Sequence, residues 1–247
     1  MGLTTRIARR VMGLAYLADH PSLIGLRMHG GVLGNHEALN KPWLTGLNIA
    51  TVLDIGAHTG LFAVTIHRVL PKARIYAFEP LPESFQKLTA RMGGVKEFTA
   101  FNVGLGEQSG TLPFHRNDST PSSSFLPMAA LHKNVFPHTK NEQTVEVKIE
   151  TLDAAASALK IDDPLMVKID VQGYEDRVLR GGEKTVRRAK LVLVETSLER
   201  LYEGQPLFAD IHKTFSEWGF AYAGALDQMN DPGSGKVLQQ DSLFIRL

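Results

Sequence analysis

Cysteine is absent from the 247 residues. That excludes disulfides, thiolate zinc sites and cysteine nucleophiles. A cysteine-free chain is compatible with the cytoplasm, which is the expected location. An excess of one charge is missing too: 27 basic and 26 acidic residues leave a formal net charge of +1. No basic patch with interleaved aromatics stands out, so no nucleic-acid partner is expected. No apolar run is long enough to cross a bilayer, so no transmembrane segment is expected. What is present is ordinary for a globular protein, with 43% hydrophobic and 21% charged residues. The length suffices for one domain with a substantial core.

The N-terminus needs separate treatment. Arg6, Arg9 and Arg10 precede an apolar stretch from Val11 to Ala18, a loose imitation of a signal peptide. Asp19-His20-Pro21 follows where a small-residue cleavage site would stand. Gly2 suggests myristoylation, but Arg6 occupies the position that needs Ser or Thr. Ile7, Val11, Leu14 and Leu17 share one helical face. The expectation is a surface helix packed on the domain or on a second copy of the chain, giving a homo-oligomer; membrane association is the alternative. A helical extension over residues 1–45 and one domain over 46–247 follow.

Within the domain, apolar runs alternate with helical patterns. Strands are expected over 51–55, 74–78, 98–103, 111–116, 144–149, 165–170, 191–194, 220–226 and 243–247. Helices are expected over 61–70, 82–92, 152–159, 175–188 and 207–218. That alternation predicts an α/β fold, an open and mostly parallel sheet covered on both faces. Residues 117–143 break the pattern with Pro121, Pro127, Pro137 and the run Ser122-Ser123-Ser124. A loop this long in a compact domain reads as a lid or an acceptor-binding loop.

Two segments carry the chemistry. Val52-Leu53-Asp54-Ile55-Gly56-Ala57-His58-Thr59-Gly60 is a strand ending in an acid and a glycine turn. Tyr76-Ala77-Phe78-Glu79-Pro80 is a second strand ending in an acid. An adenosine-containing ligand fits across two such strand ends. A dinucleotide loop needs G-x-G-x-x-G around its pyrophosphate, and here His58 replaces the middle glycine. Asp54 stands where its charge would repel a pyrophosphate. S-adenosylmethionine has no phosphate and carries a sulfonium and an ammonium group, so an acid suits it. Glu79 is placed to accept hydrogen bonds from both ribose hydroxyls. Gly56, Ala57, His58 and Gly60 would form the cradle, with Pro80, Asn102, Val103 and Ser124 as further cofactor contacts.

A third segment is Val167-Lys168-Ile169-Asp170-Val171-Gln172-Gly173-Tyr174-Glu175. Lys168 and Asp170 lie two apart on a strand and point to one face. Lys168 suits either a salt bridge at the sheet end or a substrate contact. Glu175 reads as a helix-terminus acid favoured by the dipole. Glu195 ends the next strand, beside Asp170. The pair suits a general base, a divalent-ion site or simple balance of the cofactor's charge, and Asp170 is the preferred base. His115, His132 and His138 lack metal-ligand spacing; His132 or His138 as a base borne on a lid is a minor alternative.

Together, Leu53 to Gly60, Phe78-Glu79-Pro80, Val167 to Glu175, Val178-Leu179-Arg180-Gly181-Gly182 and Glu195-Thr196 resemble the FkbM-type S-adenosylmethionine-dependent methyltransferases. The resemblance covers about Val52 to Leu247. It implies a class I methyltransferase fold, Rossmann-like and doubly wound, with seven strands of which the last is antiparallel. It also implies O-methylation of a hydroxyl on a sugar, polyketide or other secondary metabolite, so the expected partner is a small-molecule acceptor. His58 departs from the pattern, where Asn is common, and introduces a pH-sensitive group. Two other readings compete: a non-catalytic cofactor-binding subunit that activates a partner, and a nicotinamide oxidoreductase. The intact set Asp54, Glu79 and Asp170 opposes the first. The missing glycine pattern opposes the second.

Overall fold

A computed structural model describes residue 11 and residues 15–117, 120–139 and 141–246. Its centre is a seven-stranded sheet in the order β3-β2-β1-β7-β8-β10-β9. The strands are β1 (Thr51–Ile55), β2 (Arg74–Phe78), β3 (Phe98–Phe101), β7 (Leu165–Ile169), β8 (Leu191–Ser197), β9 (Phe220–Asn230) and β10 (Val237–Arg246). β10 runs antiparallel to both of its neighbours, while β1, β2, β3, β7 and β8 pair in parallel. Every residue of β1 and β7 is buried. Burial on both faces is why these strands read as continuous apolar runs.

The side-chain period of two divides the strands between two cores. Val52, Ile75, Met166 and Leu193 enter one cluster; Leu53, Tyr76, Val167 and Val192 enter the other. Helix Leu61–Val69 covers the first face with Ala63 and Ile66. Leu23, Leu26, Leu39 and Leu44 of the N-terminal helices belong to this same cluster. Helices Glu175–Gly181 and Phe208–Glu217 cover the second face with Val178, Leu179, Ile211 and Phe215. Burying one such Leu or Phe contributes about 1.5–3 kcal/mol.

Several expected elements have different bounds. The strand anticipated over 98–103 stops at Phe101, and Gly104–Gly106 forms β4 of a separate sheet, β4-β6-β5. There β5 spans Gly110–Asn117 and β6 spans Glu142–Thr151. The helix expected over 175–188 breaks at Gly182 into Glu175–Gly181 and Glu183–Val186. A Cβ at Gly182 would lie 2.6 Å from Leu152 Cδ2, so close packing fixes the break. The final hairpin is much longer than its apolar residues suggested, because β9 has only one buried neighbour strand and a wet outer face. Residues 120–139 are folded into short helical turns, including helix Ala130–Val135.

On the N-terminal stripe, Tyr16 and Leu17 pack against the first core cluster and Val11 is exposed. Ile7 and Leu14 lie outside the described residues, and with them most of the helix expected to bind a second copy. Among the described residues no helix is long and apolar enough to cross a membrane.

Candidate active site

The site forms at the carboxyl ends of β1, β2, β7 and β8. After Ile55 the chain turns through Gly56 with φ of +75°. A Cβ there would fall 1.8 Å from the Asp170 carbonyl oxygen, so only glycine lets the ends of β1 and β7 meet this closely. The N–H groups of Gly56 and Ala57 donate to Phe78 O at 3.1 and 3.0 Å. His58 is left-handed as well, with φ of +48°. Its N–H donates to Glu79 Oε2 at 2.8 Å, and the Leu81 N–H donates to Glu79 Oε1 at 2.9 Å. Glu79 therefore clamps the glycine turn to the chain leaving β2. Its two oxygens still have acceptor capacity, since a carboxylate offers about four positions. Burial pushes its pKa up to about 7, against the opposing effects of those two N–H donors and of Lys168.

Lys168 on β7 pairs in register with Asp54 on β1. Its Nζ lies 3.3 Å from Asp54 Oδ1 and 3.4 Å from Asp170 Oδ2, and donates to Gly56 O at 2.9 Å. Burial works to lower the Lys168 pKa, but the Asp170 and Asp54 carboxylates outweigh it and hold the ammonium above its usual range. Asp54 is fully buried, and neither of its oxygens receives a hydrogen bond of proper geometry. The contact is thus an ion pair beneath the turn. Of the two roles weighed for Lys168, the structure shows the salt bridge. The position given to Asp54 needs correction in the same way: it lies below the cavity floor, and Lys168 neutralises the charge expected to repel a pyrophosphate.

Ile169 pairs with Val194, so Asp170 and Glu195, one residue further out, stand side by side. Gln172 joins them. Its Nε2 donates to Asp170 Oδ1 and to Glu195 Oε2, both at 2.8 Å. Gln172 is itself left-handed, with φ of +55°, and its Oε1 accepts from the Tyr202 hydroxyl at 3.0 Å. Gln239 of β10 also donates to Glu195 Oε2, at 3.0 Å. Each oxygen of Asp170 has one contact, Oδ1 with Gln172 and Oδ2 with Lys168. Oε1 of Glu195 has no hydrogen-bond partner among the described residues. Burial pushes the Glu195 pKa well up, and the charges of Asp170, Glu175 and Asp241 push it further. Among the described residues no group of three candidate ligands stands together to hold a metal ion. Glu175 holds the loop from below, accepting from the N–H groups of Val171 and Gly173 at 3.3 and 3.0 Å. That extends the helix-terminus reading.

A cavity of about 510 Å³ runs along these strand ends. Of the residues expected at the site, Gly56, His58, Glu79, Pro80, Val103, Asp170 and Glu195 line it. Five do not. Ala57 faces a neighbouring smaller cavity, and Asp54 is beneath the turn. Gly60 begins helix Leu61–Val69 in a left-handed conformation. Asn102 is exposed and donates to the carbonyls of Glu79 and Pro80, both at 2.9 Å. Ser124 is fully buried and donates to Gln172 O at 2.6 Å, while Ser122 and Ser123 line the cavity in its place.

Sequence reasoning missed Gln172, Gln239 and the roof residues Phe125 and Phe136, and rated the roof's His132 low. Gln172 lay inside the segment Val167 to Glu175 that carries part of the family resemblance, so the signal existed. Gln239 sits in a strand without a motif, and only the β8–β10 pairing brings it to Glu195.

The lining fits S-adenosylmethionine. Three carboxylates face the cavity, and among the described residues no Lys or Arg lines it. A pyrophosphate would meet acids and find no counter-charge, whereas a sulfonium and an ammonium group would be stabilised. Glu79, the turn from Gly56 to His58 and Asp170 are the residues that would hold it. This sheet order, with its antiparallel β10 and an acidic cleft at the topological switch point, defines a class I methyltransferase with S-adenosylmethionine as its cofactor.

The chain belongs to the FkbM methyltransferase family: the family model described as "Methyltransferase FkbM domain" matches residues 54–222. It is similar to the 2-O-methyltransferase NoeI of Sinorhizobium fredii, 26% identical over 62% of this chain and 66% of that protein. It is also similar to methyltransferase sdnD of Sordaria araneosa, 29% identical over 68% and 76% of the two chains. The hexuronic acid methyltransferase AglP of Haloferax volcanii is 29% identical over 58% of this chain and 54% of its own length. Among solved structures, an FkbM methyltransferase from Methylobacillus flagellatus aligns over 84% of this chain and 47% of its own. The TM-score is 0.48, at 13% identity.

Proposed function

We propose that this protein methylates a hydroxyl oxygen of a sugar or other secondary metabolite, with Glu195 as general base. The observation that carries the reading is the Asp170–Gln172–Glu195 arrangement in an acidic cavity of an FkbM methyltransferase domain. The names of NoeI and AglP, a 2-O-methyltransferase and a hexuronic acid methyltransferase, support oxygen on a sugar.

S-adenosylmethionine, when bound, supplies an electrophilic methyl group on a positively charged sulfur. The protein has two tasks: to align the acceptor oxygen in a water-poor cavity and to take its proton. Glu195 suits the second task. Gln172 and Gln239 fix its Oε2 and leave Oε1 open. Its raised pKa makes it a stronger base than an ordinary carboxylate. Asp170, held between Lys168 and Gln172, positions the Gln172 amide. That amide fills the space between the carboxylates, so the pair is built as hydrogen-bond acceptors. The segment 117–143, whose residues Ser122, Phe125, His132 and Phe136 form the cavity roof, serves as the acceptor-side lid.

The test is calorimetric titration with S-adenosylhomocysteine and with NAD, followed by transfer of labelled methyl to acceptor hydroxyls. Tight NAD binding without S-adenosylhomocysteine binding sinks the reading. For the lid, amide exchange in helix Ala130–Val135 is expected to slow when S-adenosylhomocysteine and acceptor are added; unchanged exchange argues against a closing segment.

Glu79 gives a separate prediction. With a pKa of about 7 before the cofactor binds, it carries a proton at lower pH. Ribose hydroxyls donate to the carboxylate, and the cofactor's positive charge also favours the ionised form. Binding must then release a proton below pH 7. Affinity is expected to rise about tenfold per pH unit up to neutrality and level off above it. Glu79→Gln should flatten the profile and weaken binding by about 1–3 kcal/mol at pH 8. A wild-type profile that is flat between pH 5.5 and 8 would remove the ribose role.

A further inference from the structure

The acceptor end of the cavity has its own chemistry. Its roof is aromatic. His132 packs edge-to-face on Tyr202 and on Phe136, with ring centroids 5.2 and 5.5 Å apart. Met229 of β9 packs against this cluster and lines the same cavity. Facing the roof are Gln172, Glu195 and Gln239 at the strand ends.

The polar atoms here are unbalanced. Glu195 Oε1 has no donor among the described residues, and the Gln239 side chain spends its amide protons on Glu195 and Ser197. Its Oε1 likewise receives no donor there. His132 is 4% exposed and its Nδ1 is buried away from the cavity, so the residue contributes a ring to the roof and no acceptor. Burial keeps that ring neutral. The cavity therefore presents two acceptors without donors, Glu195 Oε1 and Gln239 Oε1, and a complementary ligand must bring at least two donors. A single alcohol brings one. A ring with several hydroxyls brings enough, and its C–H face suits an aromatic roof.

Charge narrows the class. No Lys or Arg among the described residues lines this cavity. Lys168, beneath the turn, is held by Asp54 and Asp170. Glu195 also faces two smaller adjoining cavities: Asp241 lines both, Asp227 lines one, and the paired Lys168 lines the other. A carboxylate or phosphate on the acceptor would be desolvated beside these groups with no unpaired counter-ion among the described residues that line the cavity.

We propose that the acceptor is an uncharged polyol, a pyranose-like ring without carboxylate or phosphate, seated between the His132–Phe136 roof and the Gln239–Glu195 edge. This rests on the methyl-transfer reading and narrows it, setting this chain apart from a relative named for hexuronic acid.

The test uses the full chain loaded with S-adenosylhomocysteine and four probes: methyl β-glucopyranoside, glucuronate, glucosamine and cyclohexanol. Binding is measured by saturation-transfer NMR and competition. The glycoside is expected to bind saturably in the millimolar range, with glucuronate and cyclohexanol each at least about tenfold weaker. Met229→Arg, which supplies a cation at the cavity wall, should retain S-adenosylhomocysteine affinity and gain about tenfold for glucuronate. Glucuronate binding as well as the glycoside to the wild type overturns the proposal. So does glucosamine binding tenfold tighter, which would assign a cationic acceptor, or cyclohexanol matching the glycoside. If S-adenosylhomocysteine binds and no sugar does, this inference alone fails. If S-adenosylhomocysteine does not bind, the methyl-transfer reading fails first and takes this inference with it.

Discussion

Glu195→Gln is expected to lower turnover by a factor of about 10²–10⁴ while changing S-adenosylhomocysteine affinity little. The substitution keeps the side-chain shape and removes the proton acceptor. In the wild type, burial and the neighbouring acids raise the Glu195 pKa, so the unliganded protein holds a proton there at low pH. A general base works only when deprotonated. The rate should therefore climb with pH, with its acid limb lying above the ordinary carboxylate range, and this limb should vanish in Glu195→Gln. The positive charge of the cofactor favours the carboxylate, so the limb in kcat should fall at lower pH than the limb in kcat/KM. Asp170→Asn is the informative comparison. It weakens one partner of Lys168 and one acceptor of Gln172 but leaves Oε1 of Glu195 open. Its turnover loss should be smaller and its acid limb retained. A Glu195→Gln enzyme with near-normal turnover, or an Asp170→Asn enzyme that loses the limb, would return the base to Asp170.

The second large effect concerns Gly56. Alanine there must adopt φ of +75° and place its Cβ 1.8 Å from the Asp170 carbonyl oxygen. The left-handed backbone costs about 1–2 kcal/mol, and separating β1 from β7 adds about 1–3 kcal/mol. For a chain this size that corresponds to a fall in Tm of about 5–20 °C. Cofactor affinity should fall as well, since the same movement displaces the turn that Glu79 clamps. Gly235→Ala isolates the backbone part: its φ is also +75°, and nothing lies within 4 Å of an added Cβ. Equal stability of the two variants would show that the close approach of β1 and β7 carries no constraint.

Much of the cofactor side was legible in the chain. Glycine turns after apolar runs, with acids at the strand ends, are local patterns, and local patterns survive in a linear sequence. Glu79, Gly56, His58 and Asp170 were found in this way, and all four line the cavity. The preference for Asp170 as base came from its place in the motif. It could not include Gln172, whose left-handed backbone swings its amide back between two carboxylates. Asp54 failed for a related reason: its position in the strand is clear from sequence, but the cation opposite it comes from another strand. Ser124 is turned inward to donate to Gln172 O, and Ser122 and Ser123 stand at the cavity instead.

The sequence by itself determined the alternation of strands and helices, the acids and glycines at the strand ends, and the family. Periodicity and turn chemistry act over a few residues, so one sequence suffices to read them. Only the tertiary structure decided which carboxylate stays open, because that depends on donors brought to a single point from β7, the loop after it and β10. It also decided the roof. Residues 120–139 have no strong local pattern and take their form from packing on Tyr202 and Leu238. The charge of the cavity was settled at the same level: whether a charge is free or paired is a matter of distances between strands, and those distances are absent from a linear chain.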